Sequence, residues 1–188
     1  MLDPAATVLG LAHSRPPTLG RGRLVCIDGP AGSGKTTLAS NLLRLDPTVT
    51  VIHADDLLEG WAGLPGLAET LESLLRELAA GRTGRWRRWD WISDGWAEWH
   101  QVTPGGLLVL EGVGTGSSAY DDLMTVLVWV EADAGVRLER GLARDGEELR
   151  ESWLRWREAE DLLHATDLTA DRADVRVDGE SGISRIAR

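Results

Sequence analysis

Lysine is almost missing from this 188-residue chain: Lys35 is the only one, and every other member of its 20 basic residues is arginine. Phenylalanine is absent, tyrosine occurs only as Tyr120 and cysteine only as Cys26, against nine tryptophans. One cysteine excludes an intrachain disulfide and leaves no thiolate set for a structural metal. Basic residues are outnumbered by 30 acidic ones, for a formal net charge of -10. That sign speaks against broad binding to nucleic acids or anionic membranes, because phosphate-rich surfaces select basic partners. No run approaches the roughly 18 apolar residues of a membrane span, and Met1 to Ala5 lacks the basic start of a signal peptide. These absences predict a cytoplasmic protein with no nucleic-acid or membrane partner and leave its oligomeric state open.

What is present suits one globular domain over 1–188, with 43% hydrophobic and 27% charged residues. Asp3 and Pro4 predict a capped helix toward His13, an N-terminal flap over 1–22. Apolar runs at 24–28, 49–53, 107–110, 126–130 and 175–177 predict strands, and patterns at 36–45, 67–80, 134–144 and 147–164 predict helices. Strands alternating with helices predict an α/β, three-layer fold with a mainly parallel sheet of about five strands, its ligands at the strands' carboxyl ends.

The solitary lysine stands in Gly29-Pro30-Ala31-Gly32-Ser33-Gly34-Lys35-Thr36, a complete G-x-x-x-x-G-K-[ST] loop between a predicted strand and helix, followed by Thr37. Such a loop turns backbone N–H groups and a helix N-terminus toward phosphate oxygens. Lys35 then lies along the outer phosphates of a nucleoside triphosphate, where a slim ammonium serves better than a planar guanidinium, and Thr36 offers its hydroxyl to Mg²⁺.

Carboxylates stand at the ends of two further strands. Asp55 and Asp56 follow the second, where one can accept a proton from an attacking hydroxyl while the other holds the metal shell, or both can cap a helix. Glu111 ends the strand at 107–110 and is either a magnesium-side carboxylate or an exposed strand-end charge. Arg137, Arg140 and Arg144 share one helical face over a lid near 137–150. That face can close on a triphosphate, or pair with Glu139, Asp145, Glu147 and Glu148. The segment from Trp86 to His100 holds five of the nine tryptophans. Its indoles either line an acceptor site, with Asp90 and Asp94 receiving hydrogen bonds, or fill a core that lacks phenylalanine. His53 and His100 read as core or rim residues, and Ser117 as a helix cap.

Together the Gly29–Thr37 loop, Asp55-Asp56, Trp89-Asp90-Trp91, Leu110-Glu111-Gly112-Val113 and the run from Arg137 to Asp145 resemble the uridine kinase family of P-loop kinases, over roughly residues 23–150. The resemblance implies ATP- and Mg²⁺-dependent phosphoryl transfer to the hydroxyl of a nucleoside or nucleoside-like acceptor. It assigns Asp55 as base, Thr36, Asp55 and Glu111 to the metal, and Arg140 and Arg144 to the transferred charge. It assigns Trp89-Asp90-Trp91 to the acceptor, and Asp56 and Asp94 are placed in the same acceptor site from their own positions. Leu57-Leu58 stands where the family has an aromatic pair, and Asp94 stands where it has a histidine. A kinase for another hydroxylated metabolite or an antibiotic, or a regulatory ATP-binding protein, is the alternative.

Overall fold

The computed structural model describes residues 3–186. In chain order its elements are α1 (Pro4–Ser14), β1 (Arg23–Asp28), α2 (Lys35–Leu45), β2 (Thr50–His53), α3 (Leu64–Ala79), β3 (Gly84–Asp90) and β4 (Gly95–Val102). There follow β5 (Leu107–Glu111), β6 (Val126–Glu131), α4 (Ala134–Asp145), α5 (Arg150–Asp167), α6 (Thr169–Arg172), β7 (Val175–Asp178) and β8 (Ser184–Ile186). Strands β2, β5, β1, β6 and β7 lie side by side in that order and run parallel, with β8 antiparallel on the β7 edge. The five predicted strands are thus the parallel part. The sixth comes from a polar tail that carries no apolar run.

β5 is buried along its whole length and β1 nearly so, which is why both read as continuous apolar runs. On one face α1 and α2 bring Ala5, Val8, Leu38 and Leu42 against Val25, Ile27, Val109 and Val128. On the other, α3 brings Leu67, Leu71 and Leu75, and α5 brings Trp156, against Leu24, Cys26, Leu108 and Leu110. The result is a three-layer α/β sandwich. The Asp3 carboxylate accepts the Ala5 N–H at 2.9 Å, capping α1 as its sequence predicts.

β1 is flanked by β5 and β6: from β1 the chain passes to β2 and then back to β5 on one side before crossing to β6 on the other. The crevice of a parallel sheet opens at such a reversal, beyond the strands' carboxyl ends. Register places Ile27 beside Glu111, and Glu111 beside His53. The loop after β1 and the turn after β2 therefore emerge around one carboxylate.

The tryptophan-rich segment forms a separate antiparallel hairpin, β3–β4. A register shift between Arg87 and Trp89 turns the Trp89 indole inward, where it is 7% exposed and meets Trp96 edge to face at 5.1 Å. Alternating arginine and tryptophan has the strand period of two, yet few of its residues are aliphatic, so apolar runs do not reveal it. The hairpin root sits on α3: a Cβ at Gly84 would come within 2.5 Å of Leu74 Cδ1.

Candidate active site

The loop from Gly29 to Thr36 turns the end of β1 into the start of α2. Gly29 has φ +142° and Gly32 φ +78°, the left-handed region that glycine tolerates. Contact also forbids side chains there: a Cβ at Gly29 would collide with the Val130 carbonyl, and one at Gly32 would lie 2.5 Å from that of Arg137. Lys35, 7% exposed, donates from Nζ to the carbonyls of Gly29 at 2.8 Å and Pro30 at 3.0 Å, so the ammonium lies across the loop. The Ser33 hydroxyl is buried without a partner among the described residues. Positively charged reach and open N–H groups make this an anion cradle.

The loop is braced from below. Asp28, fully buried, accepts the N–H groups of Gly29 at 2.6 Å, Gly114 at 2.9 Å and Gly116 at 2.8 Å, and pairs with His164 Nε2 at 3.1 Å. Glu160, also fully buried, accepts Ala31 N–H at 2.8 Å and Trp156 Nε1–H at 3.1 Å through Oε2, while Oε1 takes Arg137 Nη1 at 2.9 Å. Burial pushes the Glu160 carboxyl pKa up, and the Ala31 N–H, Lys35 and Arg137 hold it down. Both Asp28 and Glu160 are absent from the sequence-based site. Their roles depend on contacts between residues 86 to 136 positions apart, which no local pattern displays.

At the loop's far end the Thr36 hydroxyl donates to Glu111 Oε1 at 3.1 Å, and His53 Nδ1 meets the same oxygen at 2.5 Å. That bond raises the His53 pKa. Among the described residues no three His, Cys, Asp or Glu side chains form a metal cage. A threonine hydroxyl beside one carboxylate is still a fitting donor set for Mg²⁺, which takes one or two protein oxygens and fills its octahedron with phosphate and water.

Asp55 and Asp56 lie in a helical turn directly after β2. Neither carboxylate has a hydrogen-bond or ion-pair partner among the described residues, so neither is the helix cap that their position allows. Asp55 is solvent-exposed on the cleft wall, and the protein packed around it still raises its pKa. Lys35 and Arg144 oppose that rise, while Glu111 and Asp56 add to it. For Asp56, burial again raises the pKa, with His53, Arg88 and His100 opposing.

The three arginines of α4 separate. Arg137 is buried on Glu160 and leaves the lid for the foundation of the loop. Arg140 remains exposed, reaching the carbonyls of Gly32 at 3.3 Å and Gly179 at 3.4 Å. Arg144 forks onto Asp145 at 2.6 and 2.9 Å and lies 5.9 Å from the centre of the Trp153 ring. Both Arg140 and Arg144 line the same cleft as Lys35, Thr36, Thr37, Asp55, Asp56 and Glu111.

This cleft encloses about 1140 Å³. Its far wall is aromatic, and the structure corrects which indoles form it. Trp91 lines the cleft and donates Nε1–H to the Asp55 carbonyl at 3.0 Å. Trp89, Asp90 and Asp94 do not line it: Trp89 packs inward, Asp90 accepts the Ile92 and Ser93 N–H groups in the hairpin turn, and Asp94 occupies that turn at φ +50°. The missing part of the wall comes from Trp61, in the segment after β2, and from Trp153 and Trp156 on α5. Trp61 meets Trp91, Trp153 and Trp156 at centroid distances of 5.8, 6.3 and 6.0 Å, each edge to face. The three-residue spacing of Trp153 and Trp156 on a helix is the one local signal that pointed toward them.

The AAA domain family matches residues 25–163. A uridine kinase from Brevibacillus brevis is 29% identical over 148 residues, covering 69% of each chain. Among solved structures, a Bacillus stearothermophilus protein described as a possible uridine kinase aligns with a TM-score of 0.60 at 24% identity, covering 82% of this chain and 88% of its own. A D-glycerate 3-kinase from Cryptococcus neoformans var. grubii aligns with a TM-score of 0.58 at 13% identity, covering 97% of both chains. The two solved structures bear on the fold. With its phosphate loop at the switch point of a parallel sheet, the chain belongs to the AAA domain family and stands there as a uridine kinase-like P-loop kinase.

Proposed function

We propose that the protein transfers the γ-phosphoryl group of ATP, with Mg²⁺, to a hydroxyl of a nucleoside or nucleoside-like small molecule. One observation carries this reading: the unpartnered Asp55 carboxylate opens into the same cleft as Lys35, Thr36 and Glu111. A phosphate-binding loop alone holds a nucleotide; a free carboxylate beside it prepares an attacking oxygen.

The loop N–H groups and Lys35 hold the phosphates, Lys35 exchanging its two carbonyl contacts for phosphate oxygens. Thr36 and Glu111 would hold Mg²⁺, which supplies charge neutralisation on the phosphate oxygens. Asp55 accepts the proton of the acceptor hydroxyl as its oxygen bonds to phosphorus and the bond to the ADP oxygen breaks. Arg140 and Arg144 face the charge that spreads over the transferred group. Trp61 and Trp91 exclude water and seat the acceptor.

A second reading, another hydroxylated metabolite as acceptor, is favoured by the hairpin turn, which occupies Asp90 and so removes a carboxylate expected to read the nucleoside. ADP release with and without Mg²⁺, across nucleosides, sugars and amine-bearing alcohols, tests the proposal. Acceptor-stimulated, Mg²⁺-dependent release is the expected result. Slow release indifferent to every acceptor would indicate a nucleotide-binding regulator.

A further inference from the structure

The acceptor end of the cleft has an unusual hydrogen-bonding inventory. Of its four indoles, Trp91 donates to the Asp55 carbonyl, Trp153 to Asp145 Oδ2 at 3.0 Å and Trp156 to Glu160. The protein has therefore taken three of the four N–H groups, leaving that of Trp61 unpartnered among the described residues. Two of the five N–H groups of Arg144 are forked onto Asp145. Beside indoles whose N–H groups are mostly taken stand the carboxylates of Asp55 and Asp56, which only accept when ionised. Leu58, Ile92 and Leu149 supply the remaining apolar lining.

We infer that the acceptor carries a protonated amine beside its hydroxyl, as an amino sugar or another ringed amino alcohol does. This rests on the proposed function, in which Asp55 marks where the acceptor hydroxyl sits. A ligand rich in carbonyls, such as a pyrimidine base, would bring acceptors to a wall whose indole N–H groups are mostly taken, and each carbonyl left unmatched would be costly on desolvation. A carboxylate-bearing ligand would meet Asp55 and Asp56 as like charges. An ammonium group satisfies both constraints: it donates to the carboxylate that is not engaged with the hydroxyl, and the indole faces attract positive charge.

The groups facing Asp56 leave this opening in place. Arg88 is held by Glu98 at 2.7 Å, and His53 by Glu111. His100 meets Glu98 at 3.1 Å and stacks on Trp86. Once nucleotide fills the loop, Lys35 is occupied by phosphate, while Arg144 stays forked onto Asp145, so both cations that hold the Asp55 pKa down are engaged by other groups. An ammonium on the acceptor then adds charge complementarity at this end.

The test compares glucosamine, N-acetylglucosamine, glucose and uridine as acceptors of phosphate from ATP·Mg²⁺, then extends to further ringed amino alcohols, each against its N-acetylated form. Acetylation removes the charge and adds a carbonyl while keeping the ring. Quenching of tryptophan emission is recorded beside ADP release, so binding is read without turnover. An amine-bearing member is expected to exceed its acetylated partner by about tenfold or more in kcat/KM or affinity. Asp56→Asn should bring that ratio toward one. Equal or better performance by uridine and the acetylated compounds would overturn the inference and leave the kinase reading standing, as would no amine-bearing compound surpassing its partner in either readout. Selective quenching by amines without any phosphoryl transfer would uphold the inference and sink the kinase reading.

Discussion

The phosphate end of the cleft comes from one continuous stretch, Gly29 to Thr37, whereas the tryptophan end gathers Trp61 from the segment after β2, Trp91 from the hairpin turn and two indoles from α5. Phosphate is the same in every nucleotide, so a loop whose own backbone supplies the contacts can be encoded locally. An acceptor is recognised by shape and by a few polar groups, and here those are brought together by tertiary packing. The two ends meet at Glu160, whose single carboxylate holds the loop through Ala31 and the wall through Trp156.

Substitutions at each end should therefore fail differently. The largest effect belongs to the loop: Lys35→Met should lower kcat/KM for ADP release by roughly a thousandfold, from lost stabilisation of phosphate charge. The fold should survive, as a thermal melt would show. Trp89→Ala and Trp91→Ala divide the hairpin's own contribution. Loss of the buried Trp89 should destabilise the protein by about 3–5 kcal/mol in a denaturant titration, as large-to-small core changes do. Trp91→Ala should leave stability nearly unchanged and raise the acceptor KM by about tenfold, with ATP affinity held, since aromatic contacts of this kind contribute on the order of 1 kcal/mol. Equal behaviour of the two variants would erase the distinction between packing and lining.

The smallest effect is a displacement in pH. The protein packed around Asp55 raises its pKa although the residue is open to the cleft, and the base works deprotonated, so kcat/KM should fall on acidification at a higher pH than an ordinary aspartate would give. Arg144 opposes that rise, so Arg144→Gln should move the acid limb further upward in a pH–rate profile. A limb that stays still or moves downward would remove Arg144 from the electrostatics of the base.

The same contrast explains how far the sequence could be read. Strands β1, β5 and β6 were legible because both faces are buried, which leaves continuous apolar runs, and Lys35 and Thr36 because the motif that marks them lies within eight residues. Glu111 was legible from its place at a strand end, and the register confirms that it sits beside Ile27 and His53. Trp61 and Glu160 were not, because nothing near Trp61 in the chain shows what it touches and the loop contact of Glu160 lies 129 residues away. Arg137 reads locally as a sibling of Arg140, one turn away, and only the burial of Glu160 beneath it shows that its charge serves the loop's foundation. Trp89-Asp90-Trp91 shows the limit of motif reading: adjacent residues of a strand end and turn take different environments, and the bulge after Arg87 decides which indole goes inward.

The central claim is that Asp55 turns a phosphate-binding cleft into a phosphotransferase. Asp55→Asn keeps the side chain's shape and removes its capacity to take a proton, so it should lower acceptor-stimulated ADP release by roughly a thousandfold. ATP affinity, followed by tryptophan emission, should remain within about threefold, since the carboxylate does not belong to the phosphate cradle. Full acceptor-stimulated turnover in Asp55→Asn would contradict the account and move the base elsewhere, with Asp56 the nearest alternative.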